Sequence, residues 1–259
     1  MSSSHREIQL TVNDRVARIT MSRPPLNILT IAMLKEMNKA VVKIGTMNDV
    51  CAIVLAATPA TRAFSAGVSI EEHRPETVYQ MLDAFHTVLR SLNTVSKPVI
   101  AMVAGAALGG GCELVAFADI VIATQASRFG QPEIKIGVFP PISACLLPRV
   151  IGEKKARELI LTGELLTAEE ARMLGLVNHV VPEAELESKT HEILDVLRQM
   201  SVPALETARR TMVEAAGLPF DAALKKAEDI YLNKLMSYKD PQEGVQAFVD
   251  KRAPVWRHK

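Results

Sequence analysis

Residues 104–113, a glycine-rich stretch ending in a glutamate, are the part of this chain whose residue types first point to chemistry. Four of the seven residues from Gly105 to Gly111 are glycine, and Glu113 follows two positions later. Because glycine has no Cβ, such a turn can adopt positive φ and let a ligand approach the backbone. The first N–H groups of a helix that begins here have no intrahelical partner and lie at the positive end of its dipole. The stretch therefore predicts a site for a developing negative oxygen.

A second turn of small residues, Phe64-Ser65-Ala66-Gly67, follows the preceding predicted strand. In open α/β sheets, ligands bind beyond the carboxyl ends of the strands. N–H groups from the two turns can therefore point at one oxygen and form an oxyanion hole. Close packing of a helix on a strand explains a glycine turn equally well, so the pattern leaves both interpretations open.

Two glutamates are placed to supply proton transfer beside such a hole. Glu113 lies among apolar residues at the start of a predicted helix, where a carboxylate must be paired, exposed or tuned by function. Glu133 lies in a predicted loop, residues 129–141, that is framed by glycine and proline. Together they predict general acid and base catalysis on a carbonyl substrate. The alternatives are a dipole-stabilised helix charge for Glu113 and a solvated carboxylate for Glu133.

Other catalytic motifs are missing from the sequence. It has no HExxH, GxSxG or GxxxxGK[ST], so no metal site, serine nucleophile or phosphate loop is predicted. His73 and His86 lie beside or within a predicted helix, and we expect them to be surface or packing residues. Cys51, Cys112 and Cys145 lie in apolar runs without a CxxC pair, which predicts buried free thiols in a reducing compartment.

Composition argues against several classes of partner. The net charge is +1, so no general attraction to nucleic acid or to an anionic membrane is expected. No window holds ~18 uninterrupted apolar residues, and the first residues lack the apolar core of a signal peptide. Hydrophobic residues make up 48% of the chain, which is ample for a core. We therefore expect a cytoplasmic α/β protein.

The elements that must position these residues alternate between strand and helix. Two strand-like runs flank a turn at Asn13-Asp14 and predict a hairpin. Continuous apolar runs of strand length predict strands covered on both faces, and spacing of three and four residues predicts helices. The strands are predicted at 7–12, 16–21, 50–56, 97–103, 120–123 and 176–181, and the helices at 30–45, 76–95, 111–118, 142–150, 153–162 and 168–174. The alternation predicts βαβ units in a largely parallel sheet.

The pattern changes to helix alone in the last part of the chain. From about residue 183 onward every periodic segment is helical. We divide the chain into an α/β core that carries the site, residues 1–195, and a helical region, residues 196–259.

Taken in order, the motifs resemble those of the enoyl-CoA hydratase/isomerase (crotonase) family over nearly the whole chain. The matching segments are 23–29, 63–67, 105–113, 129–133 with Gly137, 161–163, 167–171, 175–177 and 243–248, with Lys251 and Arg252. The resemblance implies an α/β fold with a spiral core of repeated ββα units and a C-terminal helical region that forms trimers and closes the CoA site. It also implies an acyl-CoA substrate, no cofactor beyond coenzyme A as its carrier, and a homotrimer or homohexamer.

The resemblance further implies roles for single residues. The N–H groups of Ala66 and Gly110 would hold the thioester oxygen, while Glu113 and Glu133 would position water and add it across the C2–C3 double bond. The implied CoA-binding residues are Arg23, Leu26, Phe64, Ala66 and Val68, with Phe248 and Lys251, which in the family often come from a neighbouring subunit. Because both glutamates are present, a hydratase (a hydro-lyase) is favoured over a double-bond isomerase. A non-catalytic or RNA-binding member is the remote alternative.

Departures from the family pattern fall at the predicted acyl pocket. Where many members carry an aspartate, this chain has Ser69, and straight-chain hydratases usually carry glycines where this chain has Pro141 and its neighbours. The predicted pocket residues are Gly109, Phe139, Pro140, Pro141 and Ile142. This form resembles cyclic dienoyl-CoA hydratases, which act on cyclohexa-1,5-diene-1-carbonyl-CoA in anaerobic aromatic degradation. The acyl group, and with it fatty acid or aromatic acid degradation as the pathway, stays open.

Overall fold

The fold is that of a computed structural model that describes residues 6–258, in which ten strands and ten α-helices are found. The strands are β1 Ile8–Asn13, β2 Val16–Met21, β3 Ala52–Ala57, β4 Ala63–Ser65, β5 Val99–Val103, β6 Ala106–Leu108, β7 Ile120–Thr124, β8 Arg128–Gly130, β9 Leu165–Thr167 and β10 His179–Val181. The helices are α1 Ile31–Gly45, α2 Val78–Val95, α3 Gly110–Phe117, α4 Pro141–Val150, α5 Glu153–Thr162, α6 Ala168–Met173, α7 Leu186–Arg198, α8 Val202–Ala215, α9 Phe220–Asp229 and α10 Asp240–Val249.

Six strands form the larger sheet, in the order β1-β2-β3-β5-β7-β10. β1 and β2 pair antiparallel through a tight turn at Asp14, which confirms the predicted hairpin, and the other pairs are parallel. β3 and β5 are buried almost throughout, as their continuous apolar runs predict for strands covered on both faces. The largely parallel sheet predicted from the alternation is therefore confirmed.

Four short strands form a second sheet, in the order β4-β6-β8-β9. β4, β6 and β8 are parallel to one another, and β9 is antiparallel to β8. The chain thus repeats a ββα unit three times, as β3-β4-α2, β5-β6-α3 and β7-β8-α4, which confirms the predicted repeated ββα core. Strands of three residues are too short to show a period, so the local pattern predicts only loops and turns there.

Buried side chains cover both faces of the larger sheet. The main core lies between this sheet and α1, α2 and α3, and a second cluster lies on the opposite face under α7 and the start of α8. Caps predicted from the sequence are present. The Thr30 side chain accepts a hydrogen bond from the Met33 N–H at the start of α1, and Thr167 and Glu170 form a capping box on α6.

The C-terminal helices continue from the core without a break in packing. The predicted boundary after residue 195 falls inside α7, which packs on the larger sheet, and the buried Arg209 of α8 donates to Asp119 at 2.6 Å. No strand follows β10 in the described chain, as predicted. The role of this region in oligomerisation stays a prediction.

Two further features of the structure are the exposure of one cysteine and the character of the helices. Cys145 is exposed on α4, so the prediction that all three cysteines are buried is wrong for this residue. No helix within residues 6–258 combines the length and apolar character that crossing a membrane requires.

Candidate active site

Three parallel strands of the smaller sheet end at one edge, and residues that follow them line one pocket of about 530 Å³. β4 is followed by Ala66, β6 by Gly109, and β8 by the segment 131–133 that ends in Glu133. The carboxyl ends of neighbouring parallel strands lie side by side, which is why two turns and a loop distant in sequence meet here. A Cβ placed on Gly109 would stand 2.5 Å from Oε1 of Glu133. The structure therefore brings the glycine turn and the acid–base pair together.

The backbone donors of the pocket differ from the predicted ones at one position. The Ala66 N–H donates to the Leu26 carbonyl at 2.9 Å, so it is already used within the fold, and its prediction as an oxyanion donor is wrong. The N–H groups of Val68 and Gly110 have no hydrogen-bond partner among residues 6–258. The two turns are adjacent, because a Cβ on Gly67 would stand 3.6 Å from the nitrogen of Gly110.

Strand-like pairing explains why Val68 is the free donor. Leu29 forms an isolated parallel bridge with Val68, in which the Leu29 N–H donates to Gly67 and the Ser69 N–H donates to Leu29. Successive backbone groups of an extended chain point to opposite sides, so the Val68 N–H points away from Leu29. The sequence shows that small residues occupy this turn, but the pairing selects which N–H remains available.

The glycines of the second turn serve both packing and access. A Cβ on Gly111 would stand 2.5 Å from the Ser65 carbonyl oxygen, so Gly111 lets α3 pack directly on the end of β4. Gly109 has φ of 51° and ψ of −127°, a conformation that favours glycine, and lies against Glu133. Gly110 lines the pocket. Both interpretations of the glycine turn therefore hold, each for different glycines. Gly111 permits close packing of a helix on a strand, whereas Gly109 and Gly110 line the pocket.

Glu113 projects from the first turn of α3 into the pocket and is only 3% exposed. Its Oε1 accepts a hydrogen bond from the Ser143 N–H at 2.8 Å. Burial raises the pKa of Glu113 to about 7; the charge of Glu133 adds to this, and the N–H groups of Ser143 and Ile142 oppose it. Glu113 is therefore a buried carboxyl whose pKa lies close to neutral pH, rather than a solvated helix charge.

Glu133 lies in a short 3₁₀ segment, Pro132–Ile136, and lines the same pocket. Its Oε2 is buried and has no hydrogen-bond partner in the described part of the chain. Burial raises the pKa of Glu133 as well. The alternative of a solvated loop carboxylate is therefore wrong, and one oxygen of the carboxyl takes no part in the hydrogen bonding of the described chain.

A buried polar pair that the sequence analysis missed holds the first turn of α4 in place. Gln131 Nε2 donates to Ser143 Oγ at 2.5 Å, and both side chains are fully buried. Because the N–H of the same serine donates to Glu113, the pair fixes the donor that orients this carboxyl. Gln131 lies beside Glu133 in the sequence, but nothing in the local pattern relates it to a residue twelve positions later.

The predicted acyl wall is present except for one residue. Gly109, Phe139, Pro140 and Pro141 line the pocket, and Pro141 is the first residue of α4. Ile142 is not among the lining residues but packs against the main core, so its prediction as a pocket residue is wrong. It lies one position further along α4, where the helical rotation turns its side chain toward the core. The opposite wall is apolar and comes from α2 residues Val78, Met81, Leu82 and Phe85.

Two histidines also line the pocket, although the sequence analysis expects them to be surface or packing residues. His73 ends the 3₁₀ segment Ile70–His73, and His86 lies on α2 next to Phe85. Both are half-buried, which fits that expectation, but their place in the pocket wall is not predicted from the sequence. Their spacing from the glutamates carries no motif, so no signal in the sequence could have placed them here.

Most of the predicted CoA-binding residues lie outside this pocket. Val68 lines it, whereas the Phe64 side chain is fully buried in the main core and Arg23 pairs with Glu7 at 2.8 Å. Leu26 is 40% exposed and Phe248 is 87% exposed. Neither these two nor Lys251 is among the residues that line the pocket within one chain. A CoA-binding role for these residues stays a prediction.

Comparison with solved structures identifies the fold as the crotonase fold. A crystal structure of an enoyl-CoA hydratase from Bacillus anthracis superimposes with a TM-score of 0.91 and 29% sequence identity, and the match covers 98% of this chain and 100% of that one. The arrangement of two largely parallel sheets built from ββα units is thus shared with a solved enoyl-CoA hydratase structure.

Residues 11–259 match the family model described as enoyl-CoA hydratase/isomerase, and the chain belongs to this family. A Mycobacterium tuberculosis protein named "Probable enoyl-CoA hydratase echA8" is 36% identical over 262 residues, 99% of this chain and 100% of that protein. The cyclohexa-1,5-dienecarbonyl-CoA hydratase of Thauera aromatica is 30% identical over 258 residues, 100% of this chain and 99% of that one. The protein is an enzyme of the hydro-lyase type.

Proposed function

We propose that the protein hydrates enoyl-CoA or cyclic dienoyl-CoA thioesters, adding water across the conjugated C2–C3 double bond. One observation carries this proposal. Two backbone N–H groups that have no hydrogen-bond partner in the described chain, those of Val68 and Gly110, belong to residues that line the same pocket as two carboxyls with raised pKa values, Glu113 and Glu133. A hole for an oxyanion beside an acid–base pair is what this addition requires.

In this mechanism the thioester oxygen accepts hydrogen bonds from Val68 and Gly110. Polarisation of the carbonyl makes C3 electrophilic, so the oxygen of a water held by the glutamates adds to C3 while one carboxylate takes its proton. The electron pair of the double bond moves through C2 to the thioester oxygen and forms an enolate. The other glutamate, in its acid form, then protonates C2 and the carbonyl re-forms. Each donor to the enolate oxygen is worth ~3 kcal/mol.

The electrostatics of Glu113 and Glu133 support their proposed roles as acid and base. Glu113 and Glu133 repel each other when both are ionised, and both are partly or fully buried. With a pKa of about 7, Glu113 can lose and regain a proton near neutral pH, as the acid or the base of an addition of water must.

Of these two substrate classes, we propose that the enzyme prefers thioesters with a cyclic acyl group. The support is the wall of Phe139, Pro140 and Pro141, in a segment where straight-chain hydratases usually carry glycines at Pro141 and its neighbours, and the similarity to the Thauera aromatica hydratase. Coenzyme A is proposed as the only carrier, with Phe248 and Lys251 reaching it from a second copy in a homotrimer or homohexamer. Their exposure in the single chain is compatible with that arrangement.

Glu113→Gln and Glu133→Gln test the proposal, because each keeps the shape of the side chain and removes its proton chemistry. We expect each to lower kcat for hydration by ~10²–10⁴-fold. Binding of a chromophoric 2-enoyl-CoA, with the red shift that N–H donors cause in its absorption, should survive. Near wild-type hydration in both variants would contradict the proposal.

A panel of thioester substrates decides between a straight-chain and a cyclic acyl group, and between a hydratase and an isomerase. Straight-chain enoyl-CoA and cyclic dienoyl-CoA thioesters are compared by kcat/KM, with products identified by mass and hydroxyl position. Equal use of crotonyl-CoA would remove the cyclic acyl group from the proposal. Conversion of a 3-enoyl-CoA to the 2-enoyl product without any hydration would identify an isomerase instead.

A further inference from the structure

Two histidines that the hydration mechanism does not use line the pocket from different elements. His73 ends the 3₁₀ segment that follows the Val68 turn, and His86 lies on α2 among the apolar residues of the opposite wall. Neither is hydrogen-bonded to Glu113 or Glu133. Along α2, the wall of the pocket is therefore apolar except at His86.

His86 has an unsatisfied ring nitrogen. Its Nε2 is buried and has no hydrogen-bond partner among the described residues. Burial, together with the neighbouring Arg90, lowers the pKa of His86 and is opposed by Asp83, so the ring is neutral at physiological pH. A buried polar atom without a partner is destabilising and rare in native proteins, and at a pocket wall a ligand can satisfy it.

The hydrogen bond of His73 shows which of its ring nitrogens can accept a hydrogen bond from a ligand. Its Nδ1 lies 2.9 Å from the carbonyl oxygen of Ser69. Because a carbonyl only accepts, Nδ1 must carry the hydrogen, and the Nε2 of a neutral His73 is then an acceptor. A hydroxyl group, which both donates and accepts, matches this nitrogen and either tautomer of His86.

The histidines line the same pocket as the two donors of the proposed oxyanion hole. The Phe85 ring lies 3.4 Å from the position of a Cβ on Gly110, so α2 borders the oxyanion hole, and His86 is the next residue. Lys135 also lines the pocket, but its side chain is exposed and runs along Gly163, with Cε 2.9 Å from the position of a Cβ there. Apart from Lys135, the polar side chains of the pocket beyond the two carboxyls are thus the two imidazoles.

From these contacts we propose that His86, with His73, selects acyl groups that carry a hydroxyl substituent away from the thioester. This rests on the proposed hydratase function and specifies its substrate class. The hydroxyl would bind the two ring nitrogens, while Val68 and Gly110 hold the thioester oxygen. An acyl group without the hydroxyl would leave the His86 nitrogen buried and unpaired.

The test compares pairs of 2-enoyl-CoA thioesters, straight-chain and cyclic, that differ only in a hydroxyl on the acyl part beyond C4. Wild type should favour the hydroxylated member by about tenfold or more in kcat/KM, because a site built to hydrogen-bond a substrate rejects the analogue that lacks the group. His86→Leu should bring this ratio to about one, raising kcat/KM for the plain thioester. His86→Gln should keep part of the preference, and His73→Leu should reduce it.

His191→Leu is the matched control, since it makes the same substitution on the exposed surface of α7 and should leave the ratio unchanged. Thermal unfolding separates specificity from folding: His86→Leu should not lower Tm, because it removes an unsatisfied buried atom. An unchanged ratio in His86→Leu, or a preference for a thioester with a terminal carboxylate in place of the hydroxyl, would overturn the inference. Absence of hydration of every thioester by wild type would instead refute the proposed function.

Discussion

Gly109→Ala is the sharpest perturbation of the acid–base pair that the structure offers. A Cβ on Gly109 would stand 2.5 Å from Oε1 and 3.2 Å from Cδ of Glu133. Ordinary contact begins at 3.4 Å, so the carboxylate must move by about 0.9 Å. Since Oε2 of Glu133 has no partner within residues 6–258, no hydrogen bond of that oxygen opposes the movement. Displacing a catalytic group by about 1 Å lowers the rate by ~10²-fold, and we expect this loss in kcat.

The substitution also strains the backbone, and a matched control isolates that effect. Gly152 has φ of 79°, lies outside the pocket, and a Cβ placed there meets nothing within 4 Å. Gly152→Ala and Gly109→Ala should each lose about 1–3 kcal/mol of stability, because both force an L-residue into a sparsely populated backbone conformation with positive φ. Only Gly109→Ala should lose activity.

The assay measures kcat and KM for hydration of an enoyl-CoA, followed by loss of absorbance of the conjugated thioester, with Tm recorded for both variants. KM should change less than kcat, because the donors of Val68 and Gly110 remain. The reasoning is refuted if Gly109→Ala retains the wild-type kcat, or if Gly152→Ala loses as much activity as Gly109→Ala does.

Two further predictions concern stability. Glu113 has a pKa of about 7 in the folded protein against 4.5 for a free side chain, so the folded state binds more protons between these values and wild type loses stability as pH rises through them. In urea unfolding, Glu113→Gln should remove the part of this slope that comes from Glu113 and be more stable than wild type at pH 8, by at most ~3 kcal/mol, but not at pH 4. Arg209→Ala, which breaks the buried pair with Asp119, should cost about 2–4 kcal/mol of unfolding free energy with KM unchanged. Arg210→Ala, which breaks the exposed pair with Glu214, should cost less than ~1 kcal/mol, and equal losses would contradict the burial argument.

Local patterns in the sequence were sufficient for much of the fold and for singling out the two glutamates that share the pocket. The apolar run of β3, the spacing of α1 and the capping box at Thr167 are each formed by residues near in sequence, so their types reveal the element. Glu113 stood out because a carboxyl among apolar residues needs an explanation. Burial in the pocket and a pKa near 7 supply it.

Features that depend on contacts between residues distant in the sequence could not be predicted from local sequence patterns. Val68 rather than Ala66 has the free N–H because Leu26 and Leu29 pair with this segment and take up the alternate backbone groups. Ile142 faces the core because of how α4 packs, and His86 reaches the pocket because α2 crosses the strand ends. A residue type shows which groups can donate, accept or carry charge. Which of those groups remain unpaired and open to a ligand depends on what the rest of the chain has already paired and buried.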